Sequence, residues 1–366
     1  MSKLKNLWST VMNSRLSIER YDDAELEQSA QLSIPHFMAF RPVTFQTVGW
    51  PTQVKSEAEL LRYVDHNFEA EVPGLFKPGA VFEPVGYRNS FSADEKELIG
   101  EIRTKVASLT ERSFGKRIVP VTNLLVQTGP YRTIHQLASI KPSKKLAVFE
   151  VGPGAGYLGA MLAQSGHRYL SYDVAQSLYL WQSRLMEAVA GPDFCEIAGN
   201  ENDLARKIAK HRVVHLPWWT YAGFLSGSTI DVDVVYSNSN LSEMTILALR
   251  HVLHISRQML TKSNLGLFCY FSKGMPSQTP HDVLDAEFQL FGFHKIFEKP
   301  FHAYVVNPEH GDKIRQIFQN GIETYNPSKR PELFDAKDVV PLRRAEAPAD
   351  VHLTQWLHGW EPPFID

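Results

Sequence analysis

From Leu146 onward the chain alternates two hydrophobic rhythms. Short, nearly unbroken apolar runs at Leu146–Val151, Arg168–Tyr172, 212–216, Asp231–Tyr236 and Gly266–Phe271 lack the polar alternation of a half-exposed strand, which predicts strands buried on both faces of a parallel sheet. Between and after them, Tyr157–Gln164, Gln176–Val189, Leu241–Leu260 and Pro280–Leu290 carry apolar residues at helical spacing and predict the covering helices. Strand and helix in alternation give an α/β fold with right-handed crossovers. The rhythm changes at the end. Gly292–Phe297 and His302–Val306 are separated only by a few residues around Glu298-Lys299-Pro300, too few for a crossover helix, so this last pair is expected to be antiparallel.

The first 115 residues read differently. Leu4–Leu16 and Glu57–Tyr63 suggest helices, and Pro35, Pro42 and Pro51 break any longer periodic pattern between them. Ser92-Ala93-Asp94-Glu95 has the form of a capping box, opening a helix through Glu95–Leu109 whose Leu98, Ile99, Ile102, Val106 and Leu109 should face a core. Residues 1–115 are thus expected to form a mainly helical region, serving as a lid over a substrate pocket, a dimerisation layer, or both. Thr122–Gln127 is apolar, Gly129-Pro130 is a turn, and Tyr131–Ile140 is an entry helix to the α/β domain of residues 116–306. Residues 307–366 are rich in Pro and charge but carry Trp356, Trp360 and Phe364. Three large aromatics need burial, so this extension is expected to pack on the core or on a partner subunit, and a homodimer is one expectation.

Composition narrows the class of protein. A chain of 366 residues with 43% hydrophobic and 21% charged residues has ordinary globular composition and enough length for a substantial core. The net charge of −2 supplies no basic field, so nucleic acid is not an expected partner. No apolar run approaches a membrane span, and the start lacks the apolar core of a signal peptide, which points to a cytoplasmic protein. Cys195 and Cys269 are too few for a disulfide framework or a cysteine metal site, and are expected as reduced residues of the core. No H-x-x-H or D-x-D cluster suggests a metal.

Candidate chemistry concentrates where the first strand meets its helix. Gly152-Pro153-Gly154-Ala155-Gly156 follows Glu150 and Val151; glycines there permit dihedrals and close backbone approach that a Cβ would forbid. The following helix would offer free backbone N–H groups to a small polar ligand. Asp173, ending the second strand, is placed to accept from ribose hydroxyls. The spacing is G-x-G-x-G, whereas a dinucleotide fingerprint needs a glycine three residues after Gly154, where Tyr157 stands. Other candidates follow from their positions after the strands: His215 as a general base, with Trp218 and Trp219 beside it; Asn238; and Glu243, whose spacing from Asn240 is also that of a helix cap. Arg132 could reach a ligand carboxylate or be held in an ion pair.

The string E-V-G-P-G-A-G resembles motif I of the S-adenosylmethionine-dependent methyltransferases. Together with Y-D-V-A-Q-S-L-Y-L and N-S-N-L-S-E-M it is similar to a bacterial group of sugar O-methyltransferases over residues 118–306. The resemblance implies a Rossmann-like methyltransferase sheet with the terminal antiparallel hairpin, and S-adenosylmethionine as cofactor. It implies Glu150, Gly152, Gly154, Gly156 and Asp173 as cofactor residues, and Asn238 and Glu243 as active-site candidates. The acceptor would be the hydroxyl of a sugar or glycosylated small molecule. A methyltransferase of another small acceptor, a nicotinamide-dependent oxidoreductase and a cofactor-binding scaffold are the rival readings. The family's acidic residue after the third strand is missing, which leaves adenine recognition unassigned.

Overall fold

The computed structural model describes residues 16–32, 53–67, 92–120, 124, 127–197, 204–223, 230–238, 240–271, 279–298 and 301–321. Most of the expected helix at Leu4–Leu16 and the aromatics Trp356, Trp360 and Phe364 lie outside them. The strands are β1 (Ala147–Val151), β2 (Arg168–Asp173), β3 (Phe194–Glu196), β4 (Val213–Pro217), β5 (Val234–Asn238), β6 (Leu267–Phe271), β7 (His294–Phe297) and β8 (His302–Val305). They form one sheet in the order β3-β4-β2-β1-β5-β6-β8-β7. The pairings from β3 to β6 are parallel, and β8 runs antiparallel between β6 and β7. This is the expected α/β sheet, mostly parallel and reversed at the carboxyl-terminal hairpin.

The apolar runs form strands because both faces are covered. Val148, Phe149 and Val151 of β1, Val213, Val214 and Leu216 of β4 and Leu267, Phe268 and Cys269 of β6 are all buried. The covering helices are α5 (Tyr157–Gln164), α6 (Gln176–Ala190), α9 (Ile246–Leu260) and α10 (His281–Leu290). Cys195 and Cys269 are both free thiols, and burial pushes that of Cys269 up.

Three differences from the sequence reading have local causes. The edge strand β3 is only three half-buried residues long, too short for an apolar run to show, and helix α7 (Leu204–Lys210) buries only Ile208. The expected helix from Leu241 is broken: a 3-10 turn covers Leu241–Glu243, Met244 is extended, and α9 begins at Ile246. Its cap is Thr245, whose hydroxyl accepts from the Ala248 N–H at 3.2 Å, because the Asn240 amide is engaged elsewhere. Strand β4 continues two residues past His215 to Pro217, which places His215 inside the sheet.

The N-terminal helices join the same core. They are α1 (Ile18–Ser29), α2 (Glu57–Asn67) and α3 (Ala93–Phe114), and Tyr21, Leu60, Tyr63, Ile99, Ile102 and Val106 belong to one buried apolar cluster with the sheet. The capping box at the start of α3 is formed in both directions: Glu95 N–H donates to Ser92 Oγ and Ser92 N–H to Glu95 Oε2 at 2.9 Å. Lys105 of α3 donates to Gln164 and to the Val189 carbonyl at 2.8 and 3.0 Å, fastening α3 near the ends of α5 and α6 where a cation suits the helix dipole.

Close packing of α5 on β2 requires Gly159. A Cβ at Gly159 would lie 2.3 Å from the ring of Tyr169. Gly100, in the exposed interior of α3, has nothing within 4 Å of the same point. Gly159→Ala should therefore destabilise the protein by about 1–3 kcal/mol through overpacking, while Gly100→Ala stabilises it by roughly 0.5–1 kcal/mol through helix propensity. Denaturant unfolding of the two variants checks both signs.

Candidate functional site

The glycine loop sits at the carboxyl end of β1, and its three glycines are needed for different reasons. All have positive φ, at 64° for Gly152, 57° for Gly154 and 76° for Gly156. A Cβ at Gly152 would lie 1.9 Å from Nδ2 of Asn240, and one at Gly156 would press on Gln182 and Leu185 at 3.4 Å. At Gly154 the same atom meets nothing within 4 Å. Two glycines therefore admit neighbouring protein, and the middle one borders open space.

Side chains tie down the loop's carbonyls. Asn240 Nδ2 donates to the carbonyls of Val151 and Gly152, and Ser237 Oγ donates to Asn240 Oδ1. From the other side, α6 supplies Trp181, donating to the Ala155 carbonyl at 3.1 Å, and Gln182, donating to the Gly154 carbonyl at 2.7 Å. Gln182 Nε2 also donates to Asp173 Oδ2 at 2.8 Å. The loop is thus held in a conformation that isolated glycines would not keep.

Two buried carboxyls lie against this loop. Asp173 is 2% exposed; burial raises its pKa to about 6 against the hydrogen bonds from Gln182 and the backbone of Ala175, Val174 and Gly154. Those bonds join the end of β2 to the loop. Glu150, 1% exposed within β1, accepts from the Tyr169 hydroxyl at 2.6 Å. Burial, opposed by that bond and assisted by the Asp173 charge, raises it to about 8. Glu150 is thus a carboxyl that is mostly protonated at neutral pH, while Asp173 is mostly ionised.

The structure brings together Gly152, Gly154, Gly156, Asp173 and Glu150, and disperses other expected residues. Asn238 closes β5 and is half-buried, in register with Phe271. The side chain of Glu243 lies outside the described residues. His215 is corrected as a general base. It is fully buried, its Nδ1 lies 2.9 Å from Ser171 Oγ, and its ring stacks on Tyr179 at 4.4 Å. Burial drives its pKa down to about 3, so it stays neutral in the sheet without reaching the crevice. Trp218 and Trp219 are buried as well; Trp218 donates to Glu25 Oε1 at 2.7 Å and Trp219 packs on Tyr21. Arg132 forms a two-bond ion pair with Glu95, at 2.5 and 2.7 Å.

The sequence reading missed the residues that hold the site. Asn240 read as a helix cap, and Gln182 was not singled out. A clue was available for Gln182: it follows Leu180 and Trp181 on a helix that buries Leu185 and Met186, and a wholly buried amide needs partners. The cover over β2 was also missed in detail. Gln176, at the start of α6, accepts from the Val54 N–H at 2.7 Å and donates to Asp22. Tyr63 of α2 is 1% exposed, is bonded to Ser177 and feels the Asp173 charge. Among the described residues no group of three or more His, Cys, Asp or Glu could hold a metal ion, and no helix is long and apolar enough to cross a membrane.

No protein-family model matches the chain, and no curated protein matches it. Among solved structures, the PH0226 protein from Pyrococcus horikoshii OT3 is 13% identical, with a TM-score of 0.34 over 49% of this chain and 90% of that one. A TehB-like SAM-dependent methyltransferase from Corynebacterium glutamicum is 14% identical, with a TM-score of 0.33 over 48% and 87%. The glycopeptide N-methyltransferase MtfA, complexed with sinefungin, is 14% identical, with a TM-score of 0.33 over 50% and 94%.

The raised pKa of Glu150 makes a signed prediction. Between its ordinary value of 4.5 and about 8, the folded state keeps a proton that the unfolded state releases, so stability falls as pH rises, by up to about 1.4 kcal/mol per pH unit. Glu150→Gln lacks this slope. Urea unfolding from acid to mildly alkaline pH should show the wild type losing stability relative to Glu150→Gln until about pH 8 and running parallel above it. Parallel curves throughout would mean that Glu150 is ionised in the fold.

Proposed function

We propose that this chain is an S-adenosylmethionine-dependent methyltransferase, and that its acceptor is a hydroxyl of a sugar or glycosylated small molecule. The observation that carries the reading is the open space at Gly154, in a loop pinned from both sides and joined to the Asp173 carboxylate. A cradle that only a glycine leaves open, beside an ionised carboxylate, suits a ligand with a hydroxylated ring and a cationic arm. The reversed β8 and the G-x-G-x-G spacing agree with it. A dinucleotide fits less well, because Tyr157 is a fully buried side chain where the third glycine would stand.

On this reading Asp173 accepts from the ribose hydroxyls and the loop of Gly152, Gly154 and Gly156 passes beneath the methionine arm. When bound, the cofactor supplies an electrophilic methyl on a sulfonium. Glu150, mostly protonated, lies two residues before the loop and accepts from the Tyr169 hydroxyl. Asn238 and Glu243, at and after the end of β5, belong to the acceptor side. The helices α1 and α2 form the cover, with Gln176 and Tyr63 as its latch points. The sugar preference rests on the motif strings alone.

Transfer of labelled methyl from S-adenosylmethionine into free hexoses, nucleotide-sugars and glycosylated metabolites tests the reading. The expected product carries label in a sugar fraction and keeps it through alkaline hydrolysis, as a methyl ether does. Alkali-labile label, or label on nitrogen, would contradict sugar O-methylation. Gly154→Val fills the cradle at a strained φ and should weaken S-adenosylhomocysteine binding by about tenfold or more, about 1.4 kcal/mol.

A further inference from the structure

Gln182 of α6 carries one polar atom that no described residue satisfies. The side chain is fully buried, and its Nε2 donates to the Gly154 carbonyl at 2.7 Å and to Asp173 Oδ2 at 2.8 Å. Both amide hydrogens are thereby used. Its Oε1 is buried as well and has no hydrogen-bond partner among the described residues. A buried acceptor left without a donor is unfavourable and rare, and this one lies beside the glycine loop and the carboxylate at the end of β2.

The amide cannot turn over to relieve it. The Gly154 carbonyl can only accept, so Oε1 in the place of Nε2 would set oxygen against oxygen. Nor is the side chain loose: a Cβ at Gly156 would lie 3.4 Å from its Cγ, so the loop packs along its stem. These bonds also place the orphan. Amide nitrogen and oxygen stand about 2.2 Å apart, so with hydrogen bonds of 2.7 and 2.8 Å, Oε1 lies no more than about 5 Å from the Gly154 carbonyl oxygen and from Asp173 Oδ2. Gly154 is the loop residue that borders open space.

Two acceptors are thus held a few ångströms apart, one a carboxylate and one a neutral carbonyl. They call for two donors on neighbouring atoms, and a vicinal diol carries its hydroxyls in that way. Asp173 is the residue expected to meet a ribose, and Gln182 Oε1 is within reach of the second hydroxyl. A ligand without that hydroxyl would leave Oε1 buried and unpaired. A ligand with a phosphate ester in its place would bring a further acceptor against two that are already there.

We propose that Gln182 binds the cofactor directly, its Oε1 accepting from one ribose hydroxyl while Asp173 accepts from the other. The proposal rests on the methyltransferase reading. One side chain then has two tasks. Through Nε2 it joins the loop to the strand end, and through Oε1 it reads the sugar lying against them. The site is preorganised for the diol, because the amide is already oriented and the ligand brings the missing donor.

Removing the hydroxyls one at a time tests it. S-Adenosylhomocysteine and its 2′-deoxy and 3′-deoxy analogues are titrated into the wild type and into Gln182→Met, which keeps much of the buried volume. Each analogue should bind the wild type about tenfold more weakly than the parent. In Gln182→Met one analogue should match the parent within about twofold, because the acceptor for that hydroxyl is gone, while the other keeps its loss. Losses kept at both hydroxyls would mean that Oε1 meets neither. Losses abolished at both would mean that Gln182 only holds Asp173 and the loop in place. Either result, or an analogue with undiminished affinity for the wild type, overturns the proposal. A second measurement needs no variant. With glutamine side-chain carbonyls labelled with ¹³C, the Gln182 signal of the wild type should move downfield on binding the parent and fail to do so with one of the two analogues. A signal unmoved by the parent, or moved equally by all three ligands as an ammonium contact would do, overturns it. No binding of the parent at all would refute the methyltransferase reading and this proposal with it, whereas binding with the wrong hydroxyl pattern refutes the proposal alone.

Discussion

The carboxyl edge of this sheet depends on how a five-residue glycine loop is restrained. Glycines make the turn possible, but they also give the unfolded chain more freedom to lose, so the loop keeps its shape only because side chains hold its carbonyls. Asn240 holds the Val151 and Gly152 side, and Gln182 and Trp181 hold the Gly154 and Ala155 side. Gln182 extends the restraint to Asp173, so the loop and the carboxylate at the end of β2 form one rigid unit. The buried donors of Gln182 and Trp181 find their acceptors in the loop; left unpaired, each would cost about 1–3 kcal/mol. The restraint of the loop and the stability of the core are therefore coupled.

Two carboxyls in one apolar setting divide their roles through their surroundings. Glu150 has the Tyr169 hydroxyl as its partner and is left mostly protonated. Asp173 has an amide and several backbone N–H groups and remains mostly ionised near neutral pH. The negative charge thus belongs to the residue at the strand end, where a hydroxylated ligand would meet it.

Much of this was legible in the sequence where burial is two-sided and turns are marked by glycine. The strands from β1 to β2, the loop between them and the terminal hairpin all follow from apolar runs and link lengths. What escaped reading was short or held by distant partners. Strand β3 has three residues, and α1 buries only one face through Ile18, Tyr21, Glu25 and Ser29. The break before α9 exists because Asn240 bonds across the sheet to Val151 and Gly152, and local spacing cannot report that. His215 was misplaced because the reading ended this strand at Leu216 and took His215 as facing the crevice, whereas β4 runs on to Pro217 and His215 is buried within the sheet.

The central claim is that the glycine cradle at β1 and the carboxylate at β2 recognise an adenosyl sulfonium cofactor. Isothermal titration of the protein with S-adenosylhomocysteine and, separately, with a nicotinamide dinucleotide tests it most directly. The account predicts saturable, one-to-one binding of S-adenosylhomocysteine, weakened by about 1–3 kcal/mol in Asp173→Ala, with no heat from the dinucleotide. Binding of the dinucleotide alone, or S-adenosylhomocysteine affinity indifferent to Asp173, would contradict it.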